Sequence, residues 1–587
     1  MCGIFIALSK KGSLNRSACS RSVNELYNRG PDNLKYNYFY NNSLFFSNTV
    51  LSITGKTVKN KNIISSLNKK FFISFNGEIY NYKYLKHKYL RNKSLSTDTE
   101  VLVNIHEKVN YKKIPNLLNG MFAYAILDFK DNEIKVVTDP QGEKGIYYYN
   151  DDNFFIISST IKSILTFLKN NQKNISIETS VIKDYFSTRH YMPVNKSCYK
   201  KLKILENASI LNINLKNYKI SKTKYDDPFD WIDEKKYKYF SKISEEDILD
   251  EFDHELNVQA RMMIPERKFG TIFSGGIDSS LQSAILSKHA DPSLFLNVNH
   301  INKDKINKKF KLFEKFINKK IKIKKINKYN YSKYANKCVE TLSSPFFTHD
   351  LPSRMFLSQE FKKNNCKVFF SADGCDELLG GQQVYISSFK NINSKKNYSP
   401  YTSINNKSLF LKDYKTSKSY REKLNNFWDK AYDMYDFVEN KKQRIILSSF
   451  FCDYFIQSIY VANKSTDLIC CDNSVEPRNI FIQKNILKFI INLPLKYKLN
   501  YAAKGELKQK YILKKLFIKY FNESLIFKKE GFSGFPEVFY NSDKNYLKNL
   551  NYSFLKKSSN YYDPKNYDRD LSWKISNLDL FLKNYYK

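Results

Sequence analysis

Tryptophan is nearly missing from this 587-residue chain, with 3 residues against 45 phenylalanines and 44 tyrosines. Paired cysteine motifs are missing altogether. The 9 cysteines never fall as CxxC, which excludes a zinc cluster of that type and gives no sign of a disulfide framework. The 7 histidines are isolated, with no HExxH or HxH, so nothing supports a histidine-held catalytic metal. No stretch approaches the roughly 18 uninterrupted apolar residues of a membrane span. The opening MCGIFIALSKKG has neither a basic segment before its apolar one nor a small-residue cleavage pattern, so a soluble, cytoplasmic protein without a membrane partner is expected. Acidic residues are few: 58 against 97 lysines and arginines leave a net charge of +39. Such a charge ordinarily suggests nucleic acid, but the lysines are scattered among asparagine, isoleucine and aromatics, as an AT-rich coding bias would scatter them. The densest run, Ile306 to Lys328, alternates apolar and basic residues as a solvated helix and a following strand would, and no nucleic-acid partner is expected.

What is present centres on Phe269 to Ser280, FGTIFSGGIDSS. A short apolar run ending at Phe273 feeds a turn, Ser274-Gly275-Gly276-Ile277-Asp278-Ser279-Ser280, and the following LQSAILSKH has helical spacing. Strand, tight loop and helix N-terminus together make an anion site. Two glycines admit a phosphate close to the backbone, hydroxyls and the first helical N–H groups donate, and Asp278 can hold a magnesium ion. The loop resembles the pyrophosphate-binding loop of enzymes that split ATP into AMP and pyrophosphate. It lacks the lysine of the kinase-type loop, and Gly55-Lys56-Thr57 is no substitute because Val50 stands where the required glycine would be.

At the N-terminus, Cys2 follows the initiator methionine and precedes Gly3. Methionine removal would leave a thiol and an α-amine on one residue, so that the amine can serve as the thiol's base. Downstream come Arg29-Gly30-Pro31-Asp32, Leu51-Ser52-Ile53, Asn76-Gly77-Glu78, Thr97-Asp98-Thr99-Glu100 and Leu118-Asn119-Gly120-Met121. In order and spacing these resemble the glutamine amidotransferase domain of the N-terminal nucleophile hydrolases. The resemblance implies Cys2 as nucleophile, Asn76 and Gly77 as oxyanion hole, and Arg29, Val50, Leu51, Ser52, Asn76, Gly77, Glu78 and Asp98 around the glutamine. Asp98 and Glu78 would hold the amino end. Val50 stands where the family usually places an arginine for the α-carboxylate. Losing that contact costs about 1.5–3 kcal/mol, which leaves either weak glutamine binding or another basic group in the arginine's place. Ser158-Ser159-Thr160-Ile161-Lys162 resembles a further family signature, with Thr160 where glutamate is usual. The apolar alternation of FFISF, FAYAILDF and EIKVVTD reads as antiparallel strands.

The second half shows helices alternating with short strands, hence a parallel sheet with a nucleotide at the strands' C-terminal ends. Ser371-Ala372-Asp373-Gly374-Cys375-Asp376-Glu377, followed by Gly380-Gly381, resembles the SG(E/D)GxDE motif of asparagine synthetases. Ser474-Val475-Glu476-Pro477-Arg478, Lys510-Tyr511-Ile512-Leu513-Lys514 and Lys529-Glu530-Gly531-Phe532 resemble their later motifs. The resemblance implies Asp376 as a second magnesium ligand beside Asp278, Asp373 and Lys510 as catalytic, and Phe273, Ser274, Gly275, Gly276, Asp278, Ser279, Ser280, Val298, Ser371 and Ala372 around ATP. Ala372 and Gln382 depart from the motif at positions usually held by glycine and tyrosine.

The expected architecture is therefore an αββα sandwich over residues 2–211, a linker over 212–244, and a parallel-sheet α/β ATP-pyrophosphatase domain with a helical C-terminal part over 245–587. The whole chain resembles glutamine-hydrolysing asparagine synthetase. That implies ATP and Mg2+, glutamine as nitrogen donor, and aspartate as the carboxylate amidated through an acyl-adenylate. Two alternatives stand beside it: amidation of another carboxylate such as a uronic acid, and a non-catalytic protein with a degenerate site. A homodimer is left open.

Overall fold

The computed structural model describes residues 2–55, 61–91, 93–187, 195–299, 303–346, 348–382, 385–386, 418–456, 463–527, 534–535 and 569–585. Alternating apolar residues build two six-stranded antiparallel sheets. The first runs, in spatial order, β10 (Leu202–Ile204), β8 (Tyr147–Asn150), β9 (Phe154–Ser158), β1 (Cys2–Ser9), β3 (Leu44–Val50) and β2 (Asn33–Phe39). The second runs β12 (Ile220–Lys224), β11 (Ser209–Asn214), β7 (Glu133–Thr138), β6 (Gly120–Asp128), β5 (Phe71–Ile79) and β4 (Ile64–Ser65).

Strand pleat divides the side chains between layers. Ile4, Ile6 and Phe46 of one sheet meet Ala123, Ala125, Leu127 and Val136 of the other in a shared inner core. On the first sheet's opposite face, Phe5 and Ala7 pack with Ala18, Val23, Ile164 and Phe167 of helices Arg16–Asn24 and Ile161–Asn170. Phe71 and Ile73 of the second sheet pack outward on Leu85, Val101 and Leu102 of helices Tyr82–Tyr89 and Asp98–Ile105. Both sheets thus carry helices outside and apolar residues between, the expected αββα sandwich. Thr160, in place of the usual glutamate, caps its helix by accepting from the Ser163 N–H.

Past Leu211 the second sheet continues, because β11 runs to Asn214 and pairs with β12 inside the stretch read as linker. The rest of that stretch is also structured. Trp231 and Phe240 are buried in the large core of the second half, which is where their apolar area is best removed from water.

Helix Glu245–Met263, capped by Ser244, leads into a sheet of β13 (Phe269–Ile272), β14 (Leu294–Asn299), β15 (Ile321–Lys325), β16 (Val368–Phe370) and β17 (Glu476–Arg478). Every pairing is parallel and the order is β15-β14-β13-β16-β17. From β13 the chain winds outward through β14 and β15, then returns to place β16 and β17 on the other side. That makes β13/β16 a topological switch point, where the loops leaving the strands diverge and open a crevice. The basic run Ile306 to Lys328 lies mainly in helix Lys303–Ile317 and β15. The C-terminal part is helical, and in helix Arg569–Tyr585, from a tail whose sequence is uninformative, Trp573, Leu578 and Phe581 are buried in a core shared with Tyr331 and Phe346.

The halves join through apolar packing and ion pairs. Leu51, Tyr80 and Met121 share a buried cluster with Cys375, Ile480 and Ile482. Lys367 pairs with Asp32 at 2.6 Å, and the Gln483 side-chain amide donates to Glu143 at 3.0 Å. Among the described residues no helix is long and apolar enough to cross a membrane.

Candidate active sites

Cys2 begins β1, a central strand, opposite Val50 of β3. The backbone nitrogen of Cys2 donates to Asn76 Oδ1 at 3.1 Å, which fixes the orientation of the Asn76 amide. Its Nδ2 is left buried with no hydrogen-bond partner among the described residues. An unmet buried donor costs about 1–3 kcal/mol, and here it lies beside the nucleophile. The next residue, Gly77, has φ +145°, and a Cβ there would stand 2.0 Å from the Met121 carbonyl oxygen, so only glycine fits. Asn76 and Gly77 are therefore held by β5 and its pairing with β6 rather than by a loop.

A cavity of 520 Å³ opens on Cys2 and is lined by Val50, Leu51, Ser52, Gly77, Glu78 and Asp98 among others. Asp98 begins helix Asp98–Ile105, whose start is secured by a reciprocal capping box between Thr97 and Glu100. Its carboxylate accepts from the backbone N–H of Ile79 at 3.1 Å and of Thr99 at 2.7 Å. Burial and the adjacent Glu78 push its pKa up to about 7. Burial likewise pushes the Cys2 thiol above its ordinary value. Arg29 is placed elsewhere: its guanidinium is buried against Asp467 of the second half at 2.9 Å, and Asp467 also takes Lys144 at 2.6 Å. It is not among the residues lining the cavity.

At the second site, Gly275 takes φ +69° after β13, turning the chain into helix Ile277–His289. The loop is internally braced. Ser274 N–H donates to Ser279 Oγ at 3.1 Å, the two hydroxyls are 2.8 Å apart, and Gly276 N–H donates to Ser274 Oγ at 3.1 Å. Phe273 and Val298 are both buried. Asp278, in the helix's first turn, meets Lys510 Nζ at 2.5 Å, and the same ammonium pairs with Asp376 from the loop after β16. Burial works against the Lys510 charge, but Asp278 and Asp376 outweigh it and raise its pKa. Gly381 makes room for this arrangement, because a Cβ there would sit 2.0 Å from Lys510 Cε.

Asp373 is gripped by Arg354 through two bonds of 2.7 Å, and Arg354 also holds Asp350. Burial opposes ionisation of Asp373, yet Arg354 overrides it and holds the carboxyl below its ordinary range. Ser371 N–H donates to the Arg478 carbonyl at 2.8 Å, and Ala372 is half-buried on the same loop. Gln382, at the position usually held by tyrosine, donates to Asp376 at 3.0 Å. Arg478 reaches back into the first site: it pairs with Glu78 at 2.5 Å and with Glu476 at 2.8 Å. The Lys529-Glu530-Gly531-Phe532 motif lies outside the described residues.

Three groups at these sites were not singled out by sequence. Arg354 belongs to no recognised motif. Lys309 lies over the phosphate-type loop, where a Cβ on Gly275 would be 2.8 Å from its Cε. Lys35 lines the Cys2 cavity. A lysine among so many carries no signal until the fold places it.

For a divalent cation, the donor set offers two carboxylates that already converge on one ammonium. No group of three or more His, Cys, Asp or Glu side chains that could hold a metal occurs among the described residues. Two carboxylates suit an ion whose remaining ligands are phosphate oxygens and water, as magnesium's usually are. The residues present fit it.

Fold and sites together define a two-site protein, a cysteine-headed αββα sandwich packed against a switch-point α/β sheet. Comparison with known proteins agrees: the asparagine synthase profile matches residues 255–571, and a glutamine amidotransferase domain profile matches residues 1–226. The chain belongs to the asparagine synthase family. It is 27% identical over 321 residues to a putative glutamine-hydrolysing asparagine synthetase 2 of Methanocaldococcus jannaschii, covering 54% of this chain and 60% of that one. It is 26% identical over 408 residues to the glutamine-hydrolysing asparagine synthetase 1 of Bacillus subtilis, covering 66% and 59%. The matched region thus spans about three fifths of the length of these curated relatives. A glutamine phosphoribosylpyrophosphate amidotransferase structure from B. subtilis superposes with a TM-score of 0.30 at 12% identity, covering 55% of this chain and 81% of that one, a likeness too loose to carry weight.

Proposed function

We propose that this protein is a glutamine-dependent amide synthetase that couples glutaminase chemistry at Cys2 to carboxylate activation by ATP at the β13/β16 crevice, with aspartate as the acceptor. The observation that carries this reading is the presence of both halves of the machinery in one chain: a cysteine beside an unmet buried amide donor, and two carboxylates converging on one cation beside a glycine-serine loop.

In this reading, removal of Met1 frees the Cys2 amine to take the thiol proton. The sulfur attacks the glutamine amide carbon, and the negative oxygen is received by Asn76 Nδ2–H and the Gly77 N–H. Collapse of that intermediate expels ammonia and leaves a glutamyl thioester, which water hydrolyses to glutamate. At the second site the loop Ser274 to Ser280 takes the pyrophosphate end of ATP, and Lys510 and Lys309 offset its charge. The acceptor carboxylate attacks the α-phosphorus and pyrophosphate leaves; ammonia then attacks the acyl carbon and AMP leaves. Magnesium, held by Asp278 and Asp376, would supply charge neutralisation for the polyphosphate. Asp373, kept ionised by Arg354, contributes fixed negative charge rather than a proton. The apolar packing of Leu51, Tyr80 and Met121 against Cys375 and Ile480 suits a dry passage between the sites, which keeps ammonia unprotonated and the adenylate from water.

Pyrophosphate and AMP release with magnesium-ATP and ammonia, compared across aspartate and a panel of uronic acids, tests the reading. Aspartate-dependent release with asparagine formed is the expected result. Release only with a sugar acid would move the acceptor to that class, as the Ala372 and Gln382 departures would allow. Silence with every acceptor would overturn the synthetase reading.

A further inference from the structure

The Cys2 cavity is charged unevenly. Glu78 and Asp98 supply its carboxylates, and Glu100, also on the wall, has its Oε2 committed to the backbone N–H groups of Ser96 and Thr97 at 2.8 and 3.0 Å. Of the lysines lining it, Lys69 is exposed, whereas Lys35 is only 9% exposed. Lys35 makes no hydrogen bond or ion pair with any described residue. It is carried by β2, whose Asn33, Lys35 and Asn37 recur at the two-residue period of one strand face and all line the cavity. The register Asn33 to Val50 and Lys35 to Asn48 places this face one strand away from Cys2, with Val50 between. Burial lowers the Lys35 pKa, against the opposing pull of Glu100 and, less, of the Cys2 thiolate.

A largely buried lysine that closes no ion pair and lines a cavity is placed to receive an anion there, because the ligand's charge would offset the cost of its desolvation. Cation on one wall and carboxylates on another, with the nucleophile between, match an α-amino acid that is charged at both ends of its backbone and carries a neutral, reactive side chain. We propose that Lys35 binds the α-carboxylate of the amino-acid substrate in the Cys2 cavity, supplying from β2 the charge that Val50 does not supply from β3. This rests on the glutaminase reading of that cavity and adds the residue that sets its selectivity for a free carboxylate.

Binding to the inert Cys2→Ala protein, measured by calorimetry with L-glutamine and with glutamine α-amide as probes, separates the two claims. Lys35→Met in that background is expected to weaken L-glutamine binding about ten- to a hundredfold, the value of one charge-assisted contact. The α-amide, which has no carboxylate, should bind both proteins alike, and Lys35→Arg should restore most of the affinity for L-glutamine. Matching circular dichroism spectra and melting temperatures establish that the variants are folded. Unchanged L-glutamine affinity in Lys35→Met, or an equal loss for both probes, overturns the Lys35 assignment while leaving the glutaminase site intact. Failure of the Cys2→Ala protein itself to bind L-glutamine overturns the glutaminase reading and the Lys35 assignment with it.

Discussion

At the Cys2 cavity the Asn76 amide nitrogen, Nδ2, is buried with no partner among the described residues and Lys35 on the wall closes no ion pair with them, whereas in the crevice beyond β13 and β16 the principal charges are already answered. Lys510 is shared by Asp278 and Asp376, and Arg354 closes on Asp373. The difference follows from what each site receives in the proposed reaction. Glutamine is neutral overall, so its pocket can keep donors unmet and waiting, at a cost that the rigid sandwich absorbs. A nucleotide polyphosphate arrives with several negative charges and a metal, so its site must remain intact without them. Internal ion pairs serve that purpose and, in the proposed reaction, would be exchanged for ligand contacts on binding.

Arg478 belongs to both regions, and removing it should break the comparison most severely. Arg478→Met leaves the buried Glu78 and Glu476 without the cation they share. The expected loss is about 3–5 kcal/mol of stability, read as a lowered denaturation midpoint in urea. A midpoint within error of the wild type would mean that the two halves do not depend on this bridge.

Asn76→Ala tests whether the unmet amide is catalytic. It removes one oxyanion donor and should lower kcat for glutamine hydrolysis by about 10²–10³ with little change in KM. A change confined to KM would assign the amide to ground-state binding instead.

The smallest effect concerns pH. Asp98 is pushed up to about 7, so its charge is present above that value and lost as pH falls through it. If Asp98 holds the substrate's ammonium, the KM for glutamine should rise below pH 7 by up to about tenfold per unit. Asp98→Asn should have a high, flat KM over the same range. A wild-type profile that is flat between pH 6 and 8 would remove Asp98 from substrate binding.

Several parts of this protein were legible from sequence because their physics is local. The loop Ser274 to Ser280 announces itself through glycine, hydroxyls and an adjoining helix, all within a few residues, and the αββα layers follow from two-residue alternation along single strands. The stretch after Leu211 was less legible, because β12 is recognisable as a strand only once β11 is there to pair with it. The pairing of Lys510 with Asp278 and Asp376, and the choice of Lys35 among its many equivalents, have no local signature.

The sequence by itself determined which residue types stand at the two turns and the N-terminus, and hence the chemistry each could support. Only the tertiary structure decided which charges meet. It directs Arg29 to Asp467 and away from the Cys2 cavity, joins Glu78 to Arg478 across 400 positions of chain, and leaves Lys35 facing the cavity unpaired. The reason is that an ion pair depends on distance in space, and side chains far apart along the sequence acquire a fixed separation only when the sheets and cores that carry them have packed.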